Sequence, residues 1–126
     1  MCCYADPKAK RQFLLEMEKK RRKTFVAYKI VCRKDGGAPY GNQKFHPGIN
    51  VPNRLHKKYN VRKPTGIHVF LDKDHWAPLL EEVLIPVVCH VNDVIRIGCT
   101  GQCVVKKIVI RRKDWKRAGI GKSSVN

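Results

Sequence analysis

The sequence predicts an α+β domain: a small, mainly antiparallel, curled sheet with a basic N-terminal helix and one short helix. Three observations point there. Residues 8–23 hold good helix formers and no glycine. Several later segments are rich in β-branched residues and are separated by turn chemistry. The last of these are joined by connections so short that neighbouring strands must run antiparallel. A chain of 126 residues with 43% apolar content fits one domain with a modest core.

The elements follow in order. Asp6-Pro7 opens the helix, because aspartate caps well and proline fits the first helical position. The helix is expected to span Lys8 to Lys23. Phe13, Leu14 and Met17 form its apolar stripe, and the cations Lys19–Lys23 sit at the end that favours positive charge. Thr24–Cys32, TFVAYKIVC, reads as the first strand, and Lys34-Asp35-Gly36-Gly37 stops it. Residues 38–65 hold four prolines and two glycines and read as one long irregular connection. Gly66–Leu71 is the second strand, with His68 and Phe70 on one face and Ile67, Val69 and Leu71 on the other. Trp76, Leu79 and Leu80 mark a short helical turn that Pro78 keeps short.

Val83–Val91 is the third strand, and Pro86 places it at an edge, a strand start or a bulge. After a turn at Asn92-Asp93, Val94–Gly98 and Gln102–Ile110 read as a hairpin around Cys99-Thr100-Gly101. The last strand is mostly β-branched and is expected to be central or buried on both faces. Trp115 and a basic tail follow, fraying through Gly119, Gly121 and Ser123-Ser124. The expected division is a basic helix or arm over 1–23, an α+β domain over 24–110 and a basic tail over 111–126.

Charge is the strongest functional signal. Lys and Arg number 27 against 10 Asp and Glu, a net charge of +17. Residues 7–23 carry eight basic and two acidic side chains, and 106–122 carry eight and one. Such density points to a polyanionic partner: nucleic acid, or a protein complex that handles it. The candidate residues are Lys19, Lys20, Arg21, Arg22 and Lys23, then Arg54, Lys57, Lys58, Arg62 and Lys63 in the long connection, then Arg111, Arg112, Lys113, Lys116 and Arg117. Tyr40, Phe45 and Tyr59 interleave with the middle group, a mixture suited to stacking on bases beside phosphates.

Other chemistry is thinner. Cys99-x3-Cys103 has a spacing found in some zinc sites, with His90, His68 or Cys2-Cys3 to complete a set, so zinc is the one cofactor to consider. Cys32 and Cys89 read as small core residues. Cys89-His90 cannot act as a nucleophile pair, because adjacent strand residues face opposite ways. No catalytic residue is assigned, and an enzyme is not expected. No apolar stretch of about 18 residues is present, and the first 24 residues lack an apolar run of 7–15. A cytoplasmic location with reduced thiols is therefore expected, and no membrane contact.

His46-Pro47-Gly48-Ile49-Asn50-Val51-Pro52-Asn53-Arg54, followed by Thr65-Gly66-Ile67-His68-Val69-Phe70-Leu71-Asp72, resembles small uncharacterised proteins of bacteriophages and mobile elements. The likeness covers roughly 25–110. It implies an accessory protein of a class in which host-takeover and anti-defence inhibitors are common. Gly66–Asp72, with the short helix and apolar strand after it, also looks like the core of ADP-ribosyltransferase-like folds, near the RNA 2'-phosphotransferases. That likeness implies an NAD or nucleotide pocket near His68; read from the residues alone, His68, which shares a face with Phe70, could also line a phosphate site with His46, His56 or Arg54 from the long connection. His68 would match the first histidine of the family's pair, and Phe70 stands where the second belongs.

The first expectation is thus a non-enzymatic accessory protein that binds RNA, DNA or a nucleic-acid-handling host complex. The alternatives are a nucleotide-binding or ADP-ribosyltransferase-like protein, and a ribonucleoprotein component whose basic ends fold on RNA.

Overall fold

The computed structural model describes residues 6–38, 43–52, 66–74, 80–98 and 101–121. The elements are α1 (Pro7–Lys19), β1 (Thr24–Cys32), β2 (Gly48–Asn50), β3 (Ile67–Phe70), β4 (Glu82–His90), β5 (Val94–Ile97), β6 (Gln102–Val105), β7 (Ile108–Ile110) and α2 (Arg112–Ala118). The strands form one antiparallel sheet in the order β2-β7-β4-β1-β3-β6-β5. The α+β class with a curled sheet, expected from the sequence, is what the chain adopts.

β1 and β4 are its spine, paired from Thr24↔His90 to Cys32↔Glu82. Strand alternation sorts their side chains. Phe25, Ala27 and Val31 point inward with Cys89, Val87 and Ile85, and all six are buried in the core. Val26, Tyr28 and Val88 point outward. Pro86 lies opposite Tyr28, inside an internal strand rather than at an edge. It sits just past the end of β7, which pairs with β4 at Val88↔Val109, so a neighbouring strand does not need its missing N–H.

Two corners make the curl. β4 passes into β5 through one 3-10 turn, Val91–Asp93, and β6 passes into β7 through Lys106 and Lys107. The pairing resumes beyond both corners, Val88↔Val109 on one side and Val94↔Val105 on the other, with two more residues spent at the β4–β5 corner than at the β6–β7 corner. The two strand pairs are therefore one long bent hairpin, and the Lys106 N–H donating to the Asp93 carbonyl (2.8 Å) holds the bend. One half of the hairpin pairs with β1 and the other with β3, which wraps the open sheet around its core. The sequence reading took Gln102–Ile110 as a single strand, and the two lysines break it. It also took 38–65 as wholly irregular, whereas β2 lies there on β7. Asn50 shapes that approach: its side chain accepts from the His46 N–H and donates to the carbonyls of His46 and Gly48. The short helix expected around Trp76 falls at 75–79, outside the described residues.

Both ends of the described chain are packed on the sheet. The Asp6 carboxylate caps α1 by accepting from the N–H groups of Lys8 and Ala9. Met17 is buried, and Phe13 meets Phe25 edge-on with ring centres 4.9 Å apart. The Asp6 N–H and the Lys10 ammonium donate to the carbonyls of Ile97 and Ile95, so α1 covers the β5 edge. The helix stops at Lys19, short of the expected Lys23. Arg21 adopts a left-handed conformation (φ 54°), and the N–H groups of Arg22 and Arg21 return to the carbonyls of Met17 and Glu18. That is a Schellman stop built without glycine.

The segment read as a tail from 111 is a helix, α2, followed by an anchored turn. The Trp115 indole lies on Gly36, where a Cβ would approach its Cη2 to 2.3 Å. Gly36 has φ +74°, which favours glycine on a second count. Ile120 is buried, and the Gly121 N–H donates to the Arg33 carbonyl (2.9 Å).

Candidate functional site

Most of the described cations gather at two poles. The first is the turn after α1. Lys19, Lys20, Arg21, Arg22 and Lys23 are all exposed. Lys23 accepts at its carbonyl from the Val91 N–H (2.9 Å), which brings the 3-10 corner and the neighbouring Lys106 and Lys107 to the same end of the sheet. The second pole is α2. Arg111, Arg112, Lys113, Lys116 and Arg117 are exposed there. The Gly121–Arg33 bond adds exposed Arg33 and Lys34 at the far end of β1. Thr24 and Cys32 are eight strand steps, about 26 Å, apart at the outer ends of the poles, while Lys107 and Arg111, at their facing edges, are four residues or about 13 Å apart along β7.

The structure thus divides the basic block 106–122. Lys106 and Lys107 join the N-terminal cluster, and Arg111 to Arg117 stay apart. Sequence reading missed this, and it also left out Arg33 and Lys34. Arg54, Lys57, Lys58, Arg62 and Lys63 lie outside the described residues.

Few of these cations are neutralised locally. Among the described residues, none of Lys19–Lys23, Arg112, Lys113, Lys116 and Arg117 is in an ion pair. Lys107 approaches Asp93 at 3.9 Å. Arg111 donates through Nε to Asp114 Oδ2 at 2.6 Å, and the buried Asp114 ties the start of α2 to its own first turn.

The residues proposed for a ligand pocket meet an unexpected neighbour. Lys29 lies on the inward face of β1, in register with Ile85. β1 and β3 pair at Tyr28↔Phe70, and beyond that point the Lys29 ammonium donates to the His68 carbonyl (2.8 Å) and stands 5.3 Å from the centre of the Phe45 ring. Burial lowers its pKa to about 8. His68 is exposed on the outer face, beside half-buried Phe70. His46 is exposed, and its Nδ1 lies 2.9 Å from the Pro47 carbonyl. Arg54 falls outside the described residues. The alternation in TFVAYKIVC carried the signal for Lys29, since it shares parity with Phe25, Ala27 and Val31. An open groove lined by Ala9, Phe13, Glu16, Leu71 and Ile97 lies elsewhere, between α1 and the tip of the bent hairpin, and holds none of the clustered cations.

The cysteines do not form a metal centre among the described residues. Cys103 is wholly buried in the apolar core. Cys99 lies outside the described residues. Burial, reinforced by Asp93, pushes the Cys89 thiol up to about 12. Burial and the nearby carboxylates of Asp35, Glu82 and Glu81 raise the Cys32 thiol. Neither is an activated thiolate. Cys89 faces the core, while the His90 ring accepts from the Asn92 N–H.

No protein-family model, curated protein or solved structure matches this chain. Among the described residues no helix is long and apolar enough to cross a membrane.

Proposed function

We infer that this protein binds nucleic acid through two separate basic poles and that its task is binding rather than catalysis. The observation that carries the reading is the pair of exposed clusters, 19–23 and 111–117, whose cations are almost all without acidic partners on a chain of net charge +17. Unpaired surface cations at this density lower the stability of the isolated protein and gain most where a polyanion neutralises them. A phosphate backbone offers charge at the regular spacing that two poles on one rigid sheet can use together. This side-chain set supplies affinity and positioning, and phosphate contacts carry no sequence preference. As a small accessory protein, it would coat or occupy nucleic acid that other machinery needs.

The test is a salt titration of binding to a labelled 20-nucleotide strand by fluorescence anisotropy. Both poles engaged would give six or more phosphate contacts and a log–log salt slope of about −4 or steeper. A slope near −1, or binding that persists unchanged in high salt, would overturn the reading.

A further inference from the structure

The outer face of the sheet carries a feature that phosphate binding does not use. Ile49, Val109, Val88 and Val26 stand in one row across β2, β7, β4 and β1, each in register with the next. Ile49 is 60% exposed and Val26 45%, and Val51, which extends the β2 end of the row, is 59% exposed. Isolated exposed apolar residues are ordinary, but a contiguous row on a sheet face marks an interaction surface.

Two cations and a histidine bracket the row. His90 lies two residues beyond Val88 on the same face. Lys107 and Arg111 lie two residues either side of Val109, and the extended backbone of Arg111 (φ −73°, ψ 140°) continues the alternation. The carboxylates that engage these cations, Asp93 and Asp114, each meet one of them, and Asp114 is buried.

We propose that this outer face docks an acidic amphipathic protein segment, whose apolar side covers the Ile49–Val26 row and whose carboxylates meet His90, Lys107 and Arg111. Charge complementarity selects the occupant. A second copy would set one +17 chain against another. A single nucleic-acid strand engages such surfaces through aromatic stacking, and this row is aliphatic. An apolar centre inside a charged rim is the ordinary anatomy of a protein interface. The apolar row itself is separate from the poles, whereas its rim shares Lys107 and Arg111 with them, and a failure of nucleic-acid binding leaves the apolar contact standing.

Two labelled 20-residue helical peptides test it: one with a leucine face and a glutamate face, the other with every leucine replaced by serine. The full chain should bind the leucine peptide at least tenfold more tightly. Ile49→Asp, at an exposed position on an edge strand, should erase that preference, as should Val26→Asp. Lys116→Glu/Arg117→Glu should weaken both peptides alike and keep it. Equal affinity of the two peptides, or a preference that survives both aspartate variants, overturns the proposal. So does a 20-base-pair DNA duplex whose own affinity falls tenfold with Ile49→Asp, because the face would then belong to nucleic acid.

Discussion

The two basic poles present the same charge and are held by opposite means. The α2 pole is built on tertiary packing: Trp115 on Gly36, Ile120 in the core, Arg111 on buried Asp114 and the Gly121–Arg33 bond. The 19–23 pole is held by backbone bonds, with Arg21 in a left-handed conformation and Lys23 tied through its carbonyl to Val91. At one pole the cations share a helix with residues that stabilise the fold. At the other they project from a turn and are free of packing duty. Substitutions should therefore separate stability from binding cleanly at 19–23 and less cleanly on α2.

The largest expected effect lies under the α2 pole. Gly36→Val adds a side chain where Trp115 lies and forces a β-branched residue to positive φ. It should cost about 3 kcal/mol or more in urea unfolding, through overpacking and backbone strain together. A loss below 1 kcal/mol would mean that α2 is not anchored there.

The next effect lies between the poles. Lys29 titrates near 8 in the fold against an ordinary 10.5. From pH 8 to 10.5 the unfolded chain binds more protons at this site than the folded one, so stability rises with pH across that window. Below pH 8 the folded amine carries its charge at full cost. Cys89 acts in the opposite sense, because above about pH 9 the unfolded thiol ionises while the folded one, near 12, does not. Lys29→Met isolates the lysine, since the Cys89 contribution cancels in the comparison. Relative to the variant, the parent protein should gain about 2 kcal/mol between pH 7.5 and 10, after allowance for partial exposure of the amine. Parallel stability curves would show that Lys29 titrates as an ordinary surface lysine.

The smallest effect belongs to the 19–23 pole. Arg21→Gly removes a left-handed non-glycine residue at a cost in unfolded-chain entropy, for a net stabilisation of about 0.5 kcal/mol. It also removes one cation. Its melting temperature should rise while its binding salt slope becomes shallower by about 0.7. A variant that melts lower would show that Arg21 makes a stabilising contact.

Much of the fold was legible in the sequence. Asp6-Pro7 announced α1, TFVAYKIVC announced β1, and the β-branched runs after Glu82 announced β4 and the hairpin of β5 with β6, because each signal is local. The parts that escaped depend on distant partners. β2 has three residues and exists through its register on β7 and the Asn50 side chain. The break at Lys106-Lys107 reflects a corner pinned by Asp93. The stop at Lys19 lacks the glycine that usually marks it. α2 carried a usable sign, Gly119 in the left-handed conformation after a run with Lys116 and Arg117 near its end, but the density of charge disguised a helix as a tail. The charge that defines the candidate site was plain from composition, whereas its division into two poles needed the sheet. The outer apolar row was invisible, since its members come from four strands.

The most direct test of two-pole binding is a double charge-reversal cycle on a 20-nucleotide strand, read by titration calorimetry at 100 mM salt. One variant carries Lys20→Glu/Arg22→Glu, another Lys113→Glu/Lys116→Glu, and a third all four changes. If one strand engages both poles, each pair of changes weakens binding at least tenfold, the losses add as distant sites should, and the stoichiometry stays at one. If either pair leaves the affinity unchanged, or only changes the number of strands bound, the poles do not act on one nucleic acid together and the central claim is wrong.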